Sequence, residues 1–408
     1  MKGGSVKRLL RMSYLVAGLG GVGFFAMSIL LLGVWPGRAL ERQIRDTQPE
    51  HPPALTASER RGRAIYGREG CAYCHTQQIR YLPNDVKRFG KATLAWETIF
   101  DYPQLWGTRR IGPDLSREAG VRSADWQFSH LYGPRNLVPD SVMPAFPWLF
   151  AGAPDRPTQE ARDVVDYLET LGRDRALAGP EGEAHAQAGC DCSDDERRYA
   201  FGPGPLNASP AMARRTGDFP KLAGGDRARG RTVYARNCAG CHGAGGEGDG
   251  KGAAGLSPKP ANFTGQEYAP GRLGFALWNG VSGTAMPAWR DLGQADLASV
   301  AEVVRGFHAA QTEPAIPKEV LALGARVYSG RCAQCHGTNG AGDGPAAGQF
   351  PIAPTNFRTQ RPDIAASLRA LRNGIEGTPM APWAGELSEA ELSAVAYYVR
   401  TFYAGDAP

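Results

Sequence analysis

The sequence predicts an all-α protein, with one N-terminal transmembrane helix followed by three helical modules of one fold type. Three observations carry this expectation. A single uncharged apolar run covers Tyr14 to Trp35. The pattern C-x-x-C-H occurs three times, ending at His75, His242 and His336. Each occurrence stands between a short helix-forming segment and an amphipathic stripe of helical period. At 408 residues the chain is longer than one typical domain, and 53 Gly with 31 Pro predict short helices joined by turn-rich loops rather than a strand-rich sandwich. The net charge of +5 comes without a Lys/Arg stripe interleaved with aromatics, which sets nucleic acid aside as a partner.

The apolar run is long enough to span a bilayer, since about 21 helical residues cover about 30 Å. A cleaved signal peptide would have a shorter apolar core followed by a small-residue cleavage site, which is missing here. Lys2, Lys7, Arg8 and Arg11 precede the helix and favour a cytoplasmic N-terminus, while Arg38, Arg42 and Arg45 beyond it pull weakly the other way. Gly18, Gly20, Gly21 and Gly23 give the helix a small-residue face of the kind that packs on membrane neighbours.

The first module opens at Thr56-Ala-Ser-Glu59, a capping box, and closes on the stripe Ala161, Val164, Val165, Leu168 and Leu171. The second closes on Leu297, Val300, Ala301, Val304 and Phe307. The third closes on Leu392, Val395, Ala396, Val399 and Phe402, behind a capping box at Ser388 and Glu391. The second and third form a gapless repeat: an offset of 94 residues carries Cys238 to Cys332, Pro260 to Pro354, Phe263 to Phe357, Met286 to Met380 and Trp289 to Trp383. Residues 176–220, rich in Gly, Pro, Ala and acidic side chains, read as a linker. The expected division is therefore a cytoplasmic end (1–13), anchor (14–36), first domain (37–178), linker (179–220), second domain (221–312) and third domain (313–408).

C-x-x-C-H is the c-type haem attachment pattern, in which two thiols form thioethers to the porphyrin and the adjacent His binds the iron. A zinc ribbon would pool four ligands in one site, and a thioredoxin-like pair would sit in a βαβ context. Neither pattern is present, so three covalently bound haem c groups are expected: on Cys71 and Cys74 with His75, on Cys238 and Cys241 with His242, and on Cys332 and Cys335 with His336. The sixth ligand follows by elimination among seven methionines. Met1, Met12 and Met27 belong to the anchor and its cytoplasmic end, and Met212 to the linker. Met143, Met286 and Met380 fall one per module, each beside proline in a turn, and the spacing from His to Met is 44 residues in both repeats and 68 in the first module. A buried core methionine is the alternative, but a Pro-flanked loop position is poorly placed for helix packing. With both axial positions filled the haems are relays and the chain has no catalytic centre of its own. Pro113, Pro260 and Pro354 sit in the loops expected to supply the carbonyl that accepts from each axial His. His51, His130 and His308 read as surface or packing residues. Cys190 and Cys192 stand too close for an unstrained disulfide with each other; a disulfide elsewhere, free thiols, or a metal site with His185 all stay open.

Residues 56–150 resemble the monohaem cytochrome subunit (subunit II) of cbb(3)-type cytochrome c oxidases. The likeness lies in Cys71-Ala-Tyr-Cys-His-Thr-Gln-Gln-Ile-Arg80, in Phe100-Asp-Tyr-Pro-Gln-Leu-Trp-Gly-Thr-Arg-Arg-Ile-Gly-Pro-Asp-Leu115 and in the specific run Met143-Pro-Ala-Phe-Pro-Trp148. Residues 222–403 are similar to class I cytochromes c in general. The resemblance implies a subunit that docks on a catalytic haem-copper oxidase subunit and passes it electrons taken from a soluble or membrane cytochrome donor. In that family the two further haems sit on a separate anchored subunit, whereas here they follow on one chain without a second membrane span. The implied setting is a bacterial inner membrane, with a single pass and the haem domains on the periplasmic side. The rival expectations are the same role beside a nitric-oxide-reducing relative, the cytochrome subunit of a periplasmic dehydrogenase, and a free membrane-tethered carrier.

Overall fold

The computed structural model describes residues 3–47, 54–102, 104–173, 219–309 and 315–405. Cys190, Cys192, His185, Met212, His51 and nearly all of the expected linker lie outside the described residues.

Helix α1 (Gly3–Ile29) passes through one π-type turn, Leu30–Val34, into α2 (Trp35–Thr47). Among the described residues this is the one helix long and apolar enough to cross a membrane. It continues beyond Pro36, where the expected anchor ends. The proline is the second residue of α2 and follows directly on the π turn, whose wider winding accommodates the ring within the continuous helix. The charged α2 then packs beside the short helix Ala95–Thr98, which ties the anchor to the first module. A Cβ on Gly18, Gly20, Gly21 or Gly23 would meet nothing within 4 Å, so the described chain does not cover the small face of the anchor.

In the first module α3 (Ala57–Arg68), α4 (Ala124–Tyr132) and α6 (Gln159–Leu168) enclose one core, and the short α5 (Pro134–Leu137) follows α4 at its edge. Its capping box forms as expected, with Thr56 and Glu59 bonded reciprocally. The second module holds α7 (Arg227–Asn237), α8 (Pro270–Asn279) and α9 (Gln294–Arg305). The third repeats it with α10 (Lys318–Val327), α11 (Ile364–Asn373) and α12 (Glu389–Arg400). The stripes read from the sequence are the buried faces of α6, α9 and α12, with Phe307 and Phe402 at their partly covered ends.

In every module the opening helix crosses the closing helix at a glycine. A Cβ at Gly62, Gly230 or Gly324 would overlap the backbone carbonyl of Asp163, Ser299 or Ala394 respectively. Glycine inside a helix costs about 1 kcal/mol relative to alanine, and the close crossing offsets that cost by letting large neighbours such as Tyr66 and Tyr167 pack ring against ring at 5.2 Å.

The repeats are joined by the one sheet among the described residues. Strand β1 (Gln266–Tyr268) pairs antiparallel with β2 (Gln360–Pro362), with Glu267 opposite Arg361. These are the same strand of the repeat, offset by 94. The amide of Ala269 donates to Thr359 O at 2.9 Å, and the amide of Asp363 donates to Gly265 O at 2.9 Å, so the contact is isologous about an axis through Glu267 and Arg361. His308, expected to be a surface or packing residue, bridges this interface to Asp363 at 3.0 Å.

Candidate haem sites

Each opening helix delivers its cysteine pair into a single tight turn. In the first module Gly70 turns the chain in the left-handed region (φ 76°) and Cys71–Tyr73 winds a 3-10 turn. In the repeats the motif continues as Ala239–His242 and Ala333–His336. The amides of His75 and His242 donate to the carbonyls of Cys71 and Cys238 at 3.0 and 2.9 Å, which sets each His one turn beyond the first cysteine. The six cysteines are free. Burial pushes the thiols of Cys71 and Cys238 up to about 12, and those of Cys241 and Cys332 to about 11. A thioredoxin-like pair needs the opposite, a stabilised thiolate.

The three imidazoles are held alike. Nδ1 of His75 lies 2.8 Å from Pro113 O, that of His242 lies 3.1 Å from Ala261 O, and that of His336 lies 3.1 Å from Thr355 O. Burial also pushes each of these histidines toward its neutral form. A neutral ring donating from Nδ1 presents the Nε2 lone pair to a metal. The loops expected at the prolines supply the accepting carbonyl in all three modules, from Pro113 itself in the first and from the residue after the proline in both repeats. There Phe263 and Phe357 stack on the imidazoles at 4.4 and 4.8 Å and fix a different register. The first module instead backs His75 with Gly112, where any Cβ would overlap the ring.

Met143, Met286 and Met380 are partly buried, each against its module's core. Their loops share a device that the sequence reading missed. The amide of each donates at 3.2 Å to a hydroxyl two residues earlier: Ser141, Thr284 and Thr378. The signal was present as Ser/Thr-x-Met in all three modules. In the repeats the loop is closed as well by the amides of Val281 and Ile375 on the methionine carbonyls, at 3.0 and 2.9 Å.

A c-type haem fits these surroundings. It needs free thiols, an oriented imidazole and donors for its carboxylates, and the buried Nε1–H groups of Trp106 and Trp289 have no protein acceptor. Among the described residues no cluster of three His, Cys, Asp or Glu side chains offers a competing metal site. Of the remaining histidines, His130 stacks on Trp126 at 4.6 Å, and burial pushes it down to about 4, in keeping with the expected packing role.

The model of the cytochrome c oxidase mono-haem subunit family, FixO, matches residues 22–189. The model of subunit III of cbb3-type cytochrome c oxidase matches residues 225–303 and again residues 319–399. The chain joins a FixO-type part to two subunit III-type cytochrome domains. A "Cbb3-type cytochrome c oxidase subunit FixP" of Azorhizobium caulinodans is 30% identical over 193 residues, covering 46% of this chain and 63% of that protein. The FixP of a Bradyrhizobium species is 28% identical, covering 46% of this chain and 64% of that protein. A subunit CcoP of Azospirillum brasilense is 30% identical, covering 44% and 62%. The chain thus spans a little under two thirds of the length of these relatives.

The two kinds of domain differ at their surfaces. Outside the membrane helix, eleven large apolar side chains of the FixO-type domain are exposed, against Ile375 alone in the described subunit III-type domains. Four of the eleven stand in or close to the segments of its candidate site in sequence: Tyr73 within the haem motif, Ile111 beside Gly112, Val142 beside Met143, and Trp148 five residues after that methionine.

Proposed function

We propose that this chain supplies electrons to the catalytic haem-copper subunit of a cbb3-type terminal oxidase, through three c-type haems. The observation that carries the reading is the match of residues 22–189 to the mono-haem oxidase subunit, joined to two matches to subunit III, on a chain whose long apolar helix packs against the first module. That helix would hold the first module near the membrane. The residues that would hold the cofactors are Cys71, Cys74 and His75 with Met143; Cys238, Cys241 and His242 with Met286; and Cys332, Cys335 and His336 with Met380. Bound with both axial positions filled, haem c supplies one-electron relay chemistry and no open site for substrate. The subunit III-type domains lie beyond the linker segment and take electrons from a cytochrome donor. The FixO-type domain delivers them. The haem domains stand on the periplasmic side of a bacterial inner membrane, in keeping with the basic residues before the anchor.

Purification of the tagged chain from membranes in mild detergent tests this reading. A haem-copper subunit should co-purify with it, and the acid-acetone-washed chain should retain three haems by pyridine haemochrome. A dehydrogenase in place of the haem-copper subunit, or two haems in matured protein, would overturn the corresponding part.

A further inference from the structure

The first subunit III-type domain meets the FixO-type domain through its own haem-attachment loop. Gly240 stands between Cys238 and Cys241, and a Cβ there would come within 2.5 Å of Leu137 O and 2.8 Å of Asn136 O. Both carbonyls belong to α5 of the FixO-type domain. Next to this contact, Gly252 lets the Leu137 side chain lie directly against the backbone. The amide of Ser257 donates to the Asp125 carboxylate at 2.9 Å, and Arg236 pairs with Asp140 at 3.3 Å. Asn136 of α5 also lines a cavity of about 240 Å³ together with Met143 of the other candidate site. A single helical turn therefore separates the cysteine loop of one domain from the methionine of the next.

We propose that this seam is the junction at which the first subunit III-type domain passes electrons to the FixO-type domain, with Gly240 as the positioning residue that sets their approach. The inference rests on the relay reading above. With haems held by His242 and His75, the seam would carry one electron from the first, which would be oxidised, to the second, which would be reduced, with no bond or proton moved. The other repeat has Gln334 where Gly240 stands, and it docks on its sister through the paired strands instead. The resulting order runs from the third domain, through the second, to the first.

The variant Gly240→Gln tests this on the full-length holo chain. Gln334 shows that the attachment loop accepts this side chain, so maturation and axial ligation should be retained. The side chain cannot fit against α5 and should force the seam open. The expected results are faster hydrogen exchange at 134–138 and 251–257, and weaker magnetic coupling between the two oxidised centres. Equilibration after flash photoreduction should slow by about tenfold or more, the scale on which ångström misplacements act on positioned centres. Asp125→Ala, outside every haem motif, removes the Ser257 contact from the opposite side and should move all three readouts the same way. Unchanged exchange, coupling and rate in both variants would overturn the proposal. Because the isolated chain is used, that outcome is distinct from failure to find a haem-copper partner.

Discussion

At the residue scale, the six proposed ligand loops are each held by a hydrogen bond next to the proposed ligand atom. The Nδ1 bond of each histidine and the hydroxyl bond of each methionine amide leave a nitrogen and a sulfur to define a site. Replacing Met143, Met286 or Met380 by His should lower the reduction potential of that one centre and abolish its far-red sulfur-to-iron band, because an imidazole stabilises the oxidised iron relative to a thioether. An unchanged spectrum in any single variant would reassign that ligand. These candidates were legible because C-x-x-C-H and a methionine beside proline are local patterns. The hydroxyls of Ser141, Thr284 and Thr378 were equally local and were overlooked. The loops that supply the carbonyl partners of the histidines were legible at Pro113, Pro260 and Pro354, whereas the stacking of Phe263 and Phe357 on the imidazoles is a tertiary contact that no spacing encodes.

A second residue-scale consequence concerns acidity. Burial, joined by the nearby Glu118 and opposed by the Gly120 amide at 2.8 Å, raises Glu169 from an ordinary value near 4.5 to about 7. The folded carboxyl therefore stays protonated at a pH where the unfolded one has already ionised. Its contribution to stability is fully present below about pH 4.5 and is lost as pH rises through 7. Glu169→Gln should flatten the fall in stability of the FixO-type domain across that window, as followed by denaturant melts at several pH values; an equally steep fall in the variant would place the titrating group elsewhere.

At the element scale, the modules depend on one helix crossing. The closing helices were legible through their apolar stripes and the first opening helix through its capping box at Thr56 and Glu59. It did not announce that Gly62, Gly230 and Gly324 are the crossing points, because a lone helical glycine has many causes. Gly230→Leu should destabilise its domain by about 1–3 kcal/mol through overpacking, read as a shift in the denaturation midpoint with haem content unchanged. Wild-type stability in this variant would mean that the crossing relaxes without cost. The pseudo-two-fold strand pair between the repeats was also beyond reach of the sequence. Three-residue strands have no periodicity to detect, and their pairing is visible only once both copies are folded.

At the scale of the whole molecule, the long apolar N-terminal helix, the three helical modules that carry C-x-x-C-H and the duplicated pair followed from hydropathy, motif count and the offset of 94. What stayed illegible was how the modules touch, since the seam at Gly240 and Leu137 is made of backbone and small side chains that carry no pattern. The account assigns electron entry to the subunit III-type domains and delivery to the FixO-type domain. The most direct test is oxygen uptake by the membrane complex assembled with a chain ending at Gly179. The account predicts that this complex still accepts electrons from a small artificial reductant but fails with the natural cytochrome donor. Uptake at the full rate from that donor would contradict it.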